Sequence, residues 1–169
     1  MTDPRTLHIA TPTDREIVMT RIFDAPRQLV FDALTKPALL EQWLEAPGRS
    51  FDLCEIDLKP GGAYHFVWRG PGKKDVGTRG VYREVVTGER IVNSETWDDW
   101  DAGEILVTTE LVEQDGRTTL TSTSVYPSKD VRDAILKSGL EPGASQNYDR
   151  LAELVASVAE AQGTAPSVK

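Results

Sequence analysis

Two glutamates carry the clearest chemical signal in this chain, Glu84 and Glu95, because each falls in a β-like run and shares an alternating face with aromatic residues. Gly80, Tyr82 and Glu84 fall on one face of the run 78–86, and Asn93, Glu95 and Trp97 on one face of the run 90–98. The run before them adds Tyr64, Phe66 and Trp68; later runs add Thr109 with Leu111, and Leu120 with Ser122 and Ser124. Pointed at one interior, these faces line an aromatic chamber with a few polar groups, the usual makeup of a ligand site. Burial there would raise a carboxyl pKa and keep a proton available near neutral pH, which suits acid/base work with Tyr82 or Tyr64 orienting a carbonyl. The competing reading pairs one or both glutamates with Arg79, Arg83 or Arg90, as stabilisers of the sheet. Bare aromatics beside two glutamates need water or a ligand to satisfy them, which favours an open cavity over one filled by its own side chains.

Other reactive residue types point elsewhere. His65 alternates against Tyr64 and Phe66 and is expected to face outward, and His8 lies in a polar leader. Metal chemistry is not expected: two histidines and one cysteine are present, none at ligand spacing. Asp98-Asp-Trp-Asp-Ala-Gly-Glu104 gathers carboxylates where a hairpin turn is expected, without the spacing of a calcium loop. Cys54 has no basic companion and reads as a small buried hydrophobe. Gly70-Pro-Gly-Lys-Lys74 lacks the ending of a phosphate loop, and no serine or cysteine nucleophile stands in a recognisable frame. No cofactor is implied.

The elements that must position the chamber can be read from periodicity. Tyr148, Leu151, Leu154, Val155 and Val158 recur at spacings of three and four, so residues 142–161 form an amphipathic helix roughly 30 Å long. What precedes it is mostly short strands, and one curved antiparallel sheet is the simplest cover for its apolar stripe. Residues 15–23 are the first strand; Pro26 and Pro37 open two short helices, 26–34 and 37–44, forming a V with Trp43 near its mouth. Trp43 reads either as a core anchor or as part of that mouth. Six strands follow, at 50–59, 63–69, 78–86, 90–98, 104–113 and 117–126, the last two joined by Asp115-Gly116. Close coupling of consecutive strands favours a meander. Ser128 is placed to cap a short helix through Lys137, and Gly139 to end it before the long helix begins.

The totals bound the class. At 169 residues, the expectation is one domain over 15–161, with a loose leader at 1–14 and a fraying tail at 162–169. A formal charge of −8 makes nucleic acid or an anionic lipid surface an unfavourable partner. One cysteine, no signal-peptide pattern in the leader and no long apolar run together predict a cytoplasmic protein.

Several segments resemble a known family. Arg21-Ile-Phe-Asp-Ala-Pro26, Leu58-Lys-Pro-Gly-Gly-Ala63, Gly80-Val-Tyr-Arg-Glu84, Glu89-Arg-Ile91 and Asp149-Arg-Leu-Ala-Glu-Leu154 are similar to bacterial SRPBCC proteins related to activators of the heat-shock-protein 90 ATPase. The likeness spans about residues 15–156 and concerns turns and packing positions more than chemistry. It implies an α+β helix-grip fold: a seven-stranded curved antiparallel sheet wrapped around the long C-terminal helix, with two short helices between strands one and two. It also implies a cavity between sheet and helix that binds small, mostly apolar molecules in many relatives. Ser145-Gln-Asn147 departs from the family's pattern of a large residue there, which would enlarge or polarise that cavity.

The resulting expectation is an intracellular binding protein for a small hydrophobic or aromatic molecule. Its ligand-binding residues would be Trp43, Tyr64, Phe66, Trp68, Tyr82, Glu84, Asn93, Glu95, Trp97, Ser122, Tyr148 and Leu151. The alternatives are a cyclase- or hydrolase-like enzyme using Glu84 or Glu95 with Tyr82, and a co-chaperone-type module that contacts a chaperone. A monomer or homodimer is expected.

Overall fold

A computed structural model describes residue 3 and residues 5–163. The eight strands are β1 (His8–Ala10), β2 (Glu16–Phe23), β3 (Ser50–Ile56), β4 (Ala63–Arg69), β5 (Val76–Val86), β6 (Arg90–Trp97), β7 (Trp100–Gln114) and β8 (Arg117–Val125). They form one sheet in the order β1-β2-β8-β7-β6-β5-β4-β3, antiparallel throughout. Helices α1 (Arg27–Thr35) and α2 (Pro37–Leu40) lie between β2 and β3, and α3 (Lys129–Lys137) and α4 (Leu140–Ala161) follow β8. This is the helix-grip arrangement, with one strand more than the sequence predicts.

The additional strand comes from the stretch read as a leader. Ile9 packs against a small core of Ile17, Ile105 and Tyr126, and β1 pairs with β2 through Ile9↔Met19. Arg5 extends the attachment by reaching Asp24, 3.2 Å away, which Arg117 also contacts at 3.0 Å. Most of the predicted tail lies outside the described residues.

Local chemistry explains the remaining boundaries. Asp115 and Gly116 both take positive φ, 54° and 77°, the requirement of a tight hairpin turn between twisted strands. Ser128 accepts a hydrogen bond from the Val131 amide at 3.2 Å and opens α3. Gly139, at φ 87°, turns the chain from α3 into α4. Register shifts interrupt the ladder within β3, between Tyr82 and Glu84, and between Glu95 and Trp97. Such irregularities bend strands, and here they help the sheet curl around its contents.

The main core lies under α1, α2 and α4, where Phe23, Val30, Leu120, Leu151 and Val155 are almost completely buried. Tyr148 of α4 wedges between Phe23, edge-on at 6.1 Å, and Trp43, stacked at 6.2 Å. The buried Arg21 guanidinium reaches from β2 to Asp149 of α4 at 2.5 Å and lies over the Phe23 ring. Sheet and helix are thereby tied by packing and by charge.

Candidate functional site

The inward faces of β4 to β7 close on a cavity of about 260 Å³. Strand alternation brings Tyr64, Phe66 and Trp68 of β4, Tyr82 of β5, and Asn93, Glu95 and Trp97 of β6 into its lining. The aromatic wall is continuous: Tyr64 lies 5.2 Å from Phe66 and 5.4 Å from Tyr82, ring centre to ring centre. Leu34 of α1 and Leu44 beyond α2 contribute apolar surface, and Thr78, Ile91, Val107 and Thr109 complete the strand contribution. Thr78 shares the phase of Tyr82, and Val107 that of Thr109, so extending the alternation by one step finds both.

Polar groups in the wall divide into satisfied and unsatisfied ones. The Tyr64 hydroxyl donates to the Ser94 carbonyl at 2.7 Å and accepts from Asn93 Nδ2 at 3.1 Å. Gly80 permits this pose, since a Cβ there would fall 1.8 Å from that carbonyl and 2.9 Å from the Tyr64 ring. Thr78 Oγ1 donates to the Thr96 carbonyl at 3.2 Å. The Glu95 carboxyl has no hydrogen-bond or ion-pair partner among the described residues, and burial pushes its pKa up to about 7. Trp97 Nε1 is buried and likewise lacks an acceptor. Burial, with the Glu95 charge second, holds the Tyr64 hydroxyl well above the ordinary phenol range and lifts Tyr126 to about 12. Burial also raises Tyr82, so the tyrosines stay neutral.

Five residues expected in the site stand outside the lining. Glu84 is exposed: the irregularity after Tyr82 moves the pairing from Tyr82↔Asn93 to Glu84↔Val92 and reverses the side chain's direction. Its carboxylate meets Arg90 at 3.3 Å, and Arg90 also holds Glu110 at 3.1 Å. Trp43 is a core anchor, 4% exposed, whose indole Nε1 donates to the Ala33 carbonyl at 2.8 Å. Tyr148 and Leu151 belong to the core under α4, where neighbours already occupy their surfaces. Ser122 is buried on β8 between Met19 and Thr109, and only Thr109 of these reaches the lining.

Among the described residues, none of α4 contributes to the lining, so strands and the α1–α2 segment form the cavity walls. Asn147, expected to polarise the cavity, fastens the loop after α2 instead. Its Oδ1 accepts from the Glu45 amide at 3.2 Å and its Nδ2 donates to the Glu45 carbonyl at 3.3 Å. Arg150 adds an ion pair to Glu45 at 3.1 Å. This clamp holds Leu44, the residue before Glu45, against the strands.

Cys54 is half-buried against the main core, where burial and the nearby Glu41 charge lift its thiol to about 11. His65 is tied to Asp98 at 2.7 Å, and Asp98 also accepts from Arg79 at 3.0 Å. That network uses the first carboxylate of the acidic turn.

Sheet topology and long helix define a START-like, or SRPBCC, domain. The model of the activator of Hsp90 ATPase homolog 1-like protein family matches residues 24–156, and the chain belongs to that family. Among solved structures it is similar to a Rhodobacter sphaeroides protein, 30% identical with a TM-score of 0.85, over 90% of this chain and 99% of that one. A Staphylococcus epidermidis protein is 26% identical, with a TM-score of 0.77 over 89% of this chain and 94% of that one. A Mycobacterium smegmatis protein shares the fold at 20% identity, with a TM-score of 0.79 over 89% of this chain and 96% of that one. None of the curated proteins is a match. Among the described residues, no helix is long and apolar enough to cross a membrane.

Proposed function

We propose that this protein binds a small, largely aromatic molecule in the cavity between β4–β7 and the α1–α2 segment. The observation that supports this reading is one juxtaposition: five aromatic side chains surround a void of about 260 Å³ beside a carboxyl and an indole N–H that no group among the described residues satisfies. Packed cores rarely leave such groups bare, because an unsatisfied buried donor or acceptor costs about 1–3 kcal/mol. A ligand, or water in its absence, fits that need. On this reading the protein acts in the cytoplasm as a monomer or homodimer, with neither nucleic acid nor membrane as partner.

Native mass spectrometry of protein purified without denaturation, followed by extraction and identification of any retained molecule, tests the proposal. A retained small molecule whose loss follows Trp68→Ala supports it. Protein that stays empty and gains no thermal stability from a panel of bicyclic aromatics would refute it.

One observation favours a catalytic variant: Glu95, pushed up to about 7, holds a transferable proton at neutral pH inside an apolar room. In that variant Glu95 moves the proton while the neutral Tyr82 orients a carbonyl. Turnover of a retained carbonyl compound that survives Glu95→Gln excludes it. A co-chaperone role is the third reading and rests on the family's name; co-precipitation with the bacterial Hsp90 chaperone, with its ATPase rate as readout, discriminates it.

A further inference from the structure

The cavity's charge points to a narrower ligand class, and this step rests on the binding reading above. Among the described residues, Glu95 is the one carboxylic acid in the lining, and no lysine, arginine or histidine accompanies it there. Around it stand Tyr64, Phe66, Trp68, Tyr82 and Trp97, whose ring faces carry negative electrostatic potential. An anionic ligand would meet a carboxylate with no cation to offset it. A neutral ligand would leave an ionised Glu95 uncompensated. A cation satisfies both the carboxylate and the rings, and the chain's net charge of −8 favours its approach.

We propose that the cavity selects lipophilic amines: an aromatic or alkyl body bearing one ammonium group that donates to the Glu95 carboxylate, with the surrounding rings packed on the rest. The groups that face Glu95 electrostatically are the hydroxyls of Tyr64 from β4 and Tyr126 from the segment after β8, both neutral. Amine binding therefore expels a proton from Glu95 to solvent at a pH where the empty site holds one. The amine's affinity rises with pH, up to about tenfold per pH unit, until Glu95 is ionised, and then levels.

Isothermal titration with three probes of one shape, 2-naphthylmethylamine, 2-naphthylmethanol and 2-naphthoate, separates the outcomes. For the wild type at pH 8 the amine is expected to bind about tenfold or more tightly than the alcohol, with the carboxylate weakest. Between pH 5.5 and pH 8 amine affinity should climb while alcohol affinity does not. Glu95→Gln should remove the amine's advantage over the alcohol, and the wild-type pH series needs no variant. If the alcohol binds as tightly as the amine, or the carboxylate binds most tightly, the amine inference fails and the cavity reading stands. If none of the three binds, both fail.

Discussion

Replacing Glu95 by glutamine should make the empty protein more stable at alkaline pH and change little at acid pH. Its carboxyl moves from an ordinary 4.5 to about 7 because burial penalises the charged form and nothing nearby offsets the charge. The folded state then holds the proton more tightly than the unfolded chain. Stability from that proton is fully present below pH 4.5 and falls as pH rises, levelling above about 7. At roughly 1.4 kcal/mol per pH unit, the wild type loses about 3 kcal/mol across this window, less whatever water in the cavity screens. Glutamine keeps the shape and never ionises, so it escapes that loss. Urea unfolding of both proteins at half-unit steps from pH 5 to pH 8.5 gives the comparison. The stability difference should be under about 1 kcal/mol at pH 5 and grow by roughly 2–3 kcal/mol by pH 8, in favour of the variant. A difference that does not vary with pH would refute the placement of Glu95 in a desolvated wall, as would a wild type that stays more stable at pH 8.

Three further perturbations probe what frames the cavity. Gly80→Ala places a methyl 1.8 Å from the Ser94 carbonyl and 2.9 Å from the Tyr64 ring, so β5 must shift; the expected loss in urea unfolding is about 1–3 kcal/mol, and unchanged stability would contradict the geometry. Asn147→Ala removes both hydrogen bonds to the Glu45 backbone and should cost roughly 1 kcal/mol, with faster hydrogen exchange at the Glu45 amide; wild-type exchange there would show that the clamp is not maintained in solution. Cys54, lifted to about 11 from an ordinary 9.0, should react with a disulfide reagent at pH 8 on the order of 10–100-fold more slowly than the same cysteine in urea, and equal rates would show a thiol open to solvent.

How much of this was legible in the sequence depends on whether the determining contacts are local. β4 alternates without interruption, and Tyr64, Phe66 and Trp68 share a face as the pattern requires. β6 keeps its phase through Asn93, Glu95 and Trp97 because the extra residues of the irregularity between Glu95 and Trp97 lie on β7. Glu84 escaped because one inserted residue on β5 reverses everything after it, and nothing in Tyr-Arg-Glu-Val-Val announces an irregularity set by the opposing strand. β1 escaped because the brief run Leu7-His8-Ile9-Ala10 is too weak a signal without the partners that bury Ile9. The second short helix ends at Leu40, not residue 44, and the turn that follows is set by Trp43 reaching back to the Ala33 carbonyl. Such tertiary bonds leave no periodic trace.

The cavity lies at a seam, and that position has a consequence for binding. Tyr64, Phe66, Trp68, Tyr82 and Ile91 belong to the core under the helices, whereas Trp97 and Val107 pack on the separate cluster of Ile17, Ile105 and Tyr126. Each cluster is consolidated by its own contacts, so the void between them can persist without unfolding either. A molecule filling it would touch both, adding dispersion contacts that the empty protein lacks and binding the folded state alone. The strands that hold Glu95 are anchored in one cluster on its Asn93 side and in the other on its Trp97 side. On the proposed binding reading, stability and recognition would thus fall to neighbouring residues of β6: Ile91 and Trp97 consolidate the cores, and the carboxyl of Glu95 between them would meet the ligand.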